Sequence, residues 1–94
     1  MSVLEQDQEK DQKRLSVFIA YNGMIESFGY KAEQHVEATR QKALDHYDIR
    51  GADRDQNFLF GPDNQTELQG DVAMGTQVQP GSQLHLRPRT AGGG

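Results

Sequence analysis

The chain has no cysteine. That excludes disulfides, thiolate metal sites and a thiol nucleophile, and it accords with a reducing compartment. Apolar residues are scarce, at 34% of the 94, so a core forms only where they are concentrated. Positive charge is in deficit, with ten Lys and Arg against fourteen Asp and Glu, a net of −4. Bulk electrostatics therefore offer no attraction to nucleic acid or to an anionic membrane. No apolar run approaches the roughly 20 residues of a membrane span. Residues 1–14 lack the order of basic and then apolar residues that marks a secretory signal. A cytoplasmic location is the expectation.

What is present is unevenly spread. "MSVLEQDQEKDQKR" has little to bury beyond Val3 and Leu4, and residues 1–13 read as a flexible polar arm. "RLSVFIAYNGMIESFGY" follows, where Leu15, Val17 and Ile19 alternate with Ser16, Phe18 and Ala20, the period of a half-buried strand. Asn22-Gly23 is a hairpin signal, because a type I′ turn needs positive φ at both central residues. A second strand is expected from Met24 to about Phe28. "KAEQHVEATRQKALDHYDIRG" reads as a helix: it lacks internal Gly or Pro and is dominated by strong helix formers. Val36, Thr39, Ala43 and Tyr47 share one face, with Leu44 beside them, and Gly51 marks the exit.

Phe58, Leu59 and Phe60 form a short strand, closed by the turn residues Gly61-Pro62-Asp63-Asn64. Leu68 anchors a brief return, and residues 69–82 read as irregular. "QLHLR" is the last strand, with Leu84 and Leu86 facing in and His85 out. A hairpin, one helix and further strands make an α+β domain over residues 14–88. Its mixed sheet of four to five strands has the helix packed across one face. The first and last strands are then parallel central neighbours joined by a crossover through the helix, the arrangement called a β-grasp.

On these residues the chain resembles the ubiquitin-like family. "SVFIAYNG" resembles the family's opening strand and turn, "HVEATRQKALDHYDI" its helix and "QNFLFG" its third strand. "VQPGSQLHLRPRTAGGG" resembles its closing strand and tail. The resemblance spans about residues 14–94 and points to a divergent, bacterial ubiquitin-like modifier. It implies activation of the terminal carboxylate by adenylation with ATP, transfer to an enzyme cysteine as a thioester, and transfer again to an amine on a target protein. Residues 89–94 would be the flexible tail, with Gly92, Gly93 and Gly94 as the conjugation terminus. Glycine suits a chain that threads a narrow channel, because it has no Cβ. A third glycine, where the family has two, leaves Gly93 and Gly94 both candidates for the reactive end. The implied partners are an activating enzyme, a conjugating enzyme and a deconjugating peptidase.

Arg87 and Arg89 are candidates for binding an acidic groove on the activating enzyme. Pro88 between them departs from the family pattern and stiffens the exit from the sheet. Phe18, Leu59 and His85 should share the sheet face turned away from the helix, a partner surface in the family, with Leu59 at its central apolar position. The surface is incomplete: the two-residue opening turn lacks an apolar residue and Arg87 stands where a valine is expected.

Other chemistry has little support. His35, His46 and His85 lack metal-ligand spacing, and nothing forms a nucleophile with a base or a phosphate loop. No cofactor and no enzymatic activity are expected, and a monomer is expected. No lysine follows the third strand, so chains of the ubiquitin type are not expected. Two other functions use the same features. A sulfur carrier would convert the glycine carboxylate to a thiocarboxylate, and a non-covalent interaction module would use the sheet face alone.

Overall fold

A computed structural model describes residues 15–89; the arm and the glycine run lie outside the described residues. The elements are β1 (Leu15–Tyr21), β2 (Met24–Tyr30), α1 (Val36–His46), α2 (Ala52–Gln56), β3 (Asn57–Phe60), α3 (Met74–Gln77) and β4 (Gln83–Pro88). The strand order is β2-β1-β4-β3. β1 and β4 lie side by side and parallel, with Ile19 opposite Leu84, while β2 and β3 pair antiparallel on the flanks. This is the mixed four-stranded sheet and crossing helix of a β-grasp. A fifth strand is reduced to one bridge between Phe60 and Glu67.

The hairpin follows from its turn. Asn22 and Gly23 have φ of 51° and 84°, the left-handed pair that a type I′ turn needs. Tyr21 then faces Met24, and that register runs on to Leu15 and Tyr30. β2 continues two residues past its expected end, because Tyr30 buries its ring (3% exposed) in the core. Val17 and Ile19 are fully covered, as the alternation requires, and Leu84 and Leu86 join them beneath α1.

α1 is shorter than the helical composition of residues 31–51 implies. Its first free N–H groups are satisfied by a distant loop rather than by a capping side chain. Val36 donates to the Val72 carbonyl at 3.0 Å and Glu37 to the Gly70 carbonyl at 2.9 Å. The same loop is fastened twice more, with Met74 N–H on the Gln34 carbonyl at 2.7 Å and Gly75 N–H on the Ala32 carbonyl at 2.8 Å. Docking at His35 thus fixes where the helix begins. At the other end Asp48, not Gly51, turns the chain, with φ of 58°. Asp48 N–H bonds the Asp45 carbonyl at 3.1 Å and Ile49 N–H the Leu44 carbonyl at 2.9 Å, which is a Schellman closure with Ile49 buried behind it.

The buried face of α1 is Val36, Thr39, Ala43 and Leu44. Tyr47 completes it by donating its hydroxyl to the Ile19 carbonyl at 2.6 Å, which ties the helix end to the central strand. α2, unforeseen in the sequence, is stapled to α1 by two arginines. Arg54 donates to Gln41 Oε1 at 2.6 Å and to Asp45 Oδ1 at 2.8 Å. Arg40 donates to the carbonyls of Asn57 at 2.6 Å and Arg54 at 2.7 Å.

Gly75 tests the docked loop. A Cβ there would lie 2.9 Å from Ala32 Cβ and 3.0 Å from its carbonyl oxygen, too close for either to remain. Gly75→Ala should destabilise the fold by about 1–3 kcal/mol in urea unfolding, whereas Gly29→Ala, whose Cβ would sit 3.7 Å from the nearest atom, should stay near wild type. Equal midpoints for the two variants would contradict the close docking of residues 70–75.

Candidate functional site: the outer sheet face and the exit of the last strand

The sheet face opposite the helix is set by register. Phe18 is level with Ser27 on β2 and Gln83 on β4, and Ala20 with Ile25 and His85. His85 in turn faces Phe60, and Arg87 faces Phe58. Phe18 (43% exposed) and Ile25 (52%) stand open on this face, with Met24 (48%) at the turn. His85 is half-buried among them.

Leu59 is not on this face. It is 1% exposed and packs in the core, opposite Leu86. Antiparallel partners point to the same side of a sheet, so an inward Leu86 carries Leu59 inward with it. The apolar residue level with His85 is Phe60, which is 4% exposed although it lies outside the core cluster. The strand "NFLF" is apolar at three successive positions, so its own pattern does not fix its phase. Pairing it with "LHLR" would have done so.

Phe60 is covered by an arginine. The Arg87 guanidinium carbon lies 3.8 Å from the Phe60 ring centroid, while Nε donates to Asn64 Oδ1 at 2.6 Å and Nη2 to the Asn64 carbonyl at 2.7 Å. Arg89 repeats the arrangement one step further along. It lies 4.1 Å from the Phe58 ring centroid and grips Glu67 with both Nε and Nη2, at 2.7 and 2.8 Å. Arg40 approaches the same Phe58 ring at 4.9 Å. Phe58 and Phe60, which the sequence reading assigned only to a strand, are therefore platforms for the two basic residues that precede the glycine run. Guanidinium over an aromatic ring is an attractive pairing, and a two-pronged arginine–carboxylate bond adds direction to it.

The turn after β3 supplies the other half of these contacts. Asp63 accepts from the N–H groups of Gln65 and Thr66, each at 3.0 Å, and from the Thr66 hydroxyl at 2.7 Å. Asn64 is held at φ of 58°, which turns both its oxygens to Arg87. The backbone N–H of Thr66, then that of Gln65, holds the Asp63 carboxyl down at about 2. The hydrogen bond from Arg89 keeps the Glu67 carboxyl below the ordinary carboxylate range against the opposing effect of its partial burial. Among the described residues no three His, Asp or Glu side chains converge to hold a metal ion, and no helix is long and apolar enough to cross a membrane.

Structural comparison identifies the fold. A protein designed on the basis of ubiquitin matches with a TM-score of 0.68 and 20% identity, over 87% of this chain and 96% of the other. An N-terminal ubiquitin-like domain solved in solution matches with a TM-score of 0.64 and 14% identity, over 87% of this chain and 81% of the other. ATBAG1, crystallised in complex with HSP70, matches with a TM-score of 0.66 and 13% identity, over 82% of this chain and 41% of that one. No protein-family model and no curated protein matches the sequence. The fold is ubiquitin-like.

The carboxylates offer a direct check. Each ionises more readily in the folded chain, so each adds stability that is complete above its unfolded pKa and is lost as pH falls through its folded value. In a carboxyl-carbon NMR titration Asp63 should titrate near about 2 and Glu67 below its ordinary value of 4.5. Arg89→Ala should raise Glu67 and leave Asp63 in place, and Thr66→Ala should do the reverse. A Glu67 that titrates unchanged after loss of Arg89 would show that the clamp does not form in solution.

Proposed function

We propose that this chain is a ubiquitin-like protein modifier, attached to its targets through the glycine run that follows β4. The observation that carries the reading is the position of that run. It comes directly after the central strand β4 and after two arginines that are docked on the sheet edge. Arg89 anchored on Phe58 and Glu67 fixes the point of departure. The five residues beyond it, Thr90 to Gly94, span at most roughly 17 Å when extended. That reach suits a tail handed into another protein's active site while the domain stays outside.

The chemistry follows from a free glycine carboxylate, of Gly94 or of Gly93 after trimming. A carboxylate oxygen attacks the α-phosphate of ATP and pyrophosphate leaves, giving an acyl-adenylate. An enzyme thiolate displaces AMP to form a thioester. A target amine then displaces the thiolate and forms an amide. Groups for each step come from the activating and conjugating enzymes, and this chain contributes no catalytic residue. Arg87 and Arg89 are the contacts offered to the activating enzyme, whose acidic groups would compete with Glu67 for Arg89.

Recruitment of protein partners by the outer face is a second reading, favoured by Phe18 and Ile25, which stay open where Phe60 does not. A neighbour in fold, ATBAG1, forms a complex with HSP70, which supports protein partners for this architecture. Phe18→Asp with Ile25→Asp would abolish such binding, and deletion of the glycines would not.

Expression of the full chain with an amino-terminal tag in its native cells tests the first reading. Adducts of higher mass that survive reducing gels are expected, with the chain's terminal glycines on target amines by peptide mass spectrometry. Deletion of Gly93 and Gly94 should eliminate them. A terminus that instead gains the mass difference between sulfur and oxygen, with no adducts, would overturn the modifier in favour of a sulfur carrier.

A further inference from the structure

The arginines of this chain are held in different ways. Arg40 donates to the carbonyls of Asn57 and Arg54, and Arg54 to that of Ile49. Their side chains are 11% and 31% exposed, and releasing either would open the seam between α1 and α2. Arg89 differs. Its side chain is 63% exposed, and it bonds no carbonyl but the Glu67 carboxylate, 22 residues earlier in the chain. It can therefore be withdrawn without breaking a backbone bond.

Arg89 also stands one residue beyond the sheet. The last pair of β3 with β4 is Asn57 with Pro88, and Pro88 has no N–H to carry the ladder further. Arg87 steadies that corner, its Nη1 donating to the Pro88 carbonyl at 2.7 Å. From there the side chain of Arg89, not the ladder, ties the chain to the fold. Glu67 is placed for this by its bridge to Phe60, and the Phe58 ring supports the guanidinium. A hollow of about 350 Å³ opens beside the pair, lined by Asp55, Gln56, Phe58, Pro88 and Arg89. It leaves room for a second protein to reach the guanidinium. An exposed ion pair is weak enough to exchange partners, yet two-pronged bonding makes it selective about which.

We propose that Glu67 and Phe58 form a latch on Arg89, which must open before an acidic site on a partner can take that side chain. The latch makes Glu67 a specificity-determining residue. A diffuse acidic surface offers less than Glu67 already gives, so Arg89 stays docked. A partner whose carboxylate meets both Nε and Nη2 matches what is lost and draws the arginine away. The residues that follow Arg89 then depart from Pro88 rather than from the edge of β3. The latch stands on the geometry alone; its consequence for activation, that the activating enzyme must open it, rests on the modifier reading.

Trypsin is the probe, because it draws a whole arginine side chain into a pocket that carries an aspartate. It does not cut the Arg87–Pro88 bond, since proline follows, so release of Thr90 to Gly94 from the full chain reports on Arg89 alone. Cleavage after Lys10 and Lys13 in the same digest, read by intact mass, is the reference. Glu67→Gln should speed that release about threefold against the reference, and Phe58→Leu should do so by about the same factor. Asp55→Asn removes a carboxylate from the hollow but not from the latch, and should leave the rate unchanged. In native cells Glu67→Gln should raise the yield of adducts above wild type at equal expression. Unchanged cleavage in Glu67→Gln, or equal acceleration by Asp55→Asn, would overturn the latch whether or not adducts form. Faster cleavage with no adducts from either chain would support the latch and remove the modifier reading instead. Faster cleavage with adducts no more abundant than in wild type would overturn its part in activation.

Discussion

The rest of the molecule depends on β4 lying between β1 and β3 with Leu84 against Ile19. Both residues are fully covered. A parallel neighbour cannot be reached by a tight turn, so the chain between them must cross the sheet. α1 makes that crossing, and its apolar face becomes the lid of the core. Tyr47 then bonds the carbonyl of the same Ile19, so helix, first strand and last strand meet at one residue. Burial at this junction is what allows a chain with so few apolar residues to fold without a disulfide.

From that centre the edges acquire different characters. On one flank β3 carries two phenylalanines outward, and the residues that leave β4 fold arginines over them. The contacts use the alternation of the strand: Arg87 and Arg89 are two apart, as are Phe58 and Phe60, so each guanidinium finds a ring. On the other flank β2 has no such cover among the described residues, and neither Lys31 after it nor Lys42 on α1 has an ion pair among them. One sheet thus has one edge covered by its own chain and another that is bare among the described residues.

Much of this order was legible in the residues. Asn22-Gly23 specified the hairpin because few other pairs adopt two left-handed conformations in succession. The spacing of Val36, Thr39 and Ala43 specified the buried face of α1. Leu84 and Leu86 specified the phase of β4. Besides α2, three things were not legible, each for a physical reason. Leu59 sat in a run of three apolar residues, where period two leaves no mark, and its phase came from Leu86 across the sheet. The start of α1 was set by carbonyls of residues 70 and 72, which no local signal announces. The arginines before the glycines were visible as charges, but the rings beneath them required the pairing of β3 with β4. Local chemistry wrote the turns and faces, and contacts between distant segments wrote the boundaries.

The loop that caps α1 works through its main chain. Gly70, Val72 and the Ala32–Gly75 contact present peptide oxygens and N–H groups, which every residue type other than proline supplies alike. Substitution along that stretch can therefore proceed with little penalty except where Gly75 meets Ala32 and where Met74 fills the core. A joint of this kind lets the architecture outlive its spelling, and it accounts for a chain whose shape is shared with other proteins while its letters are not.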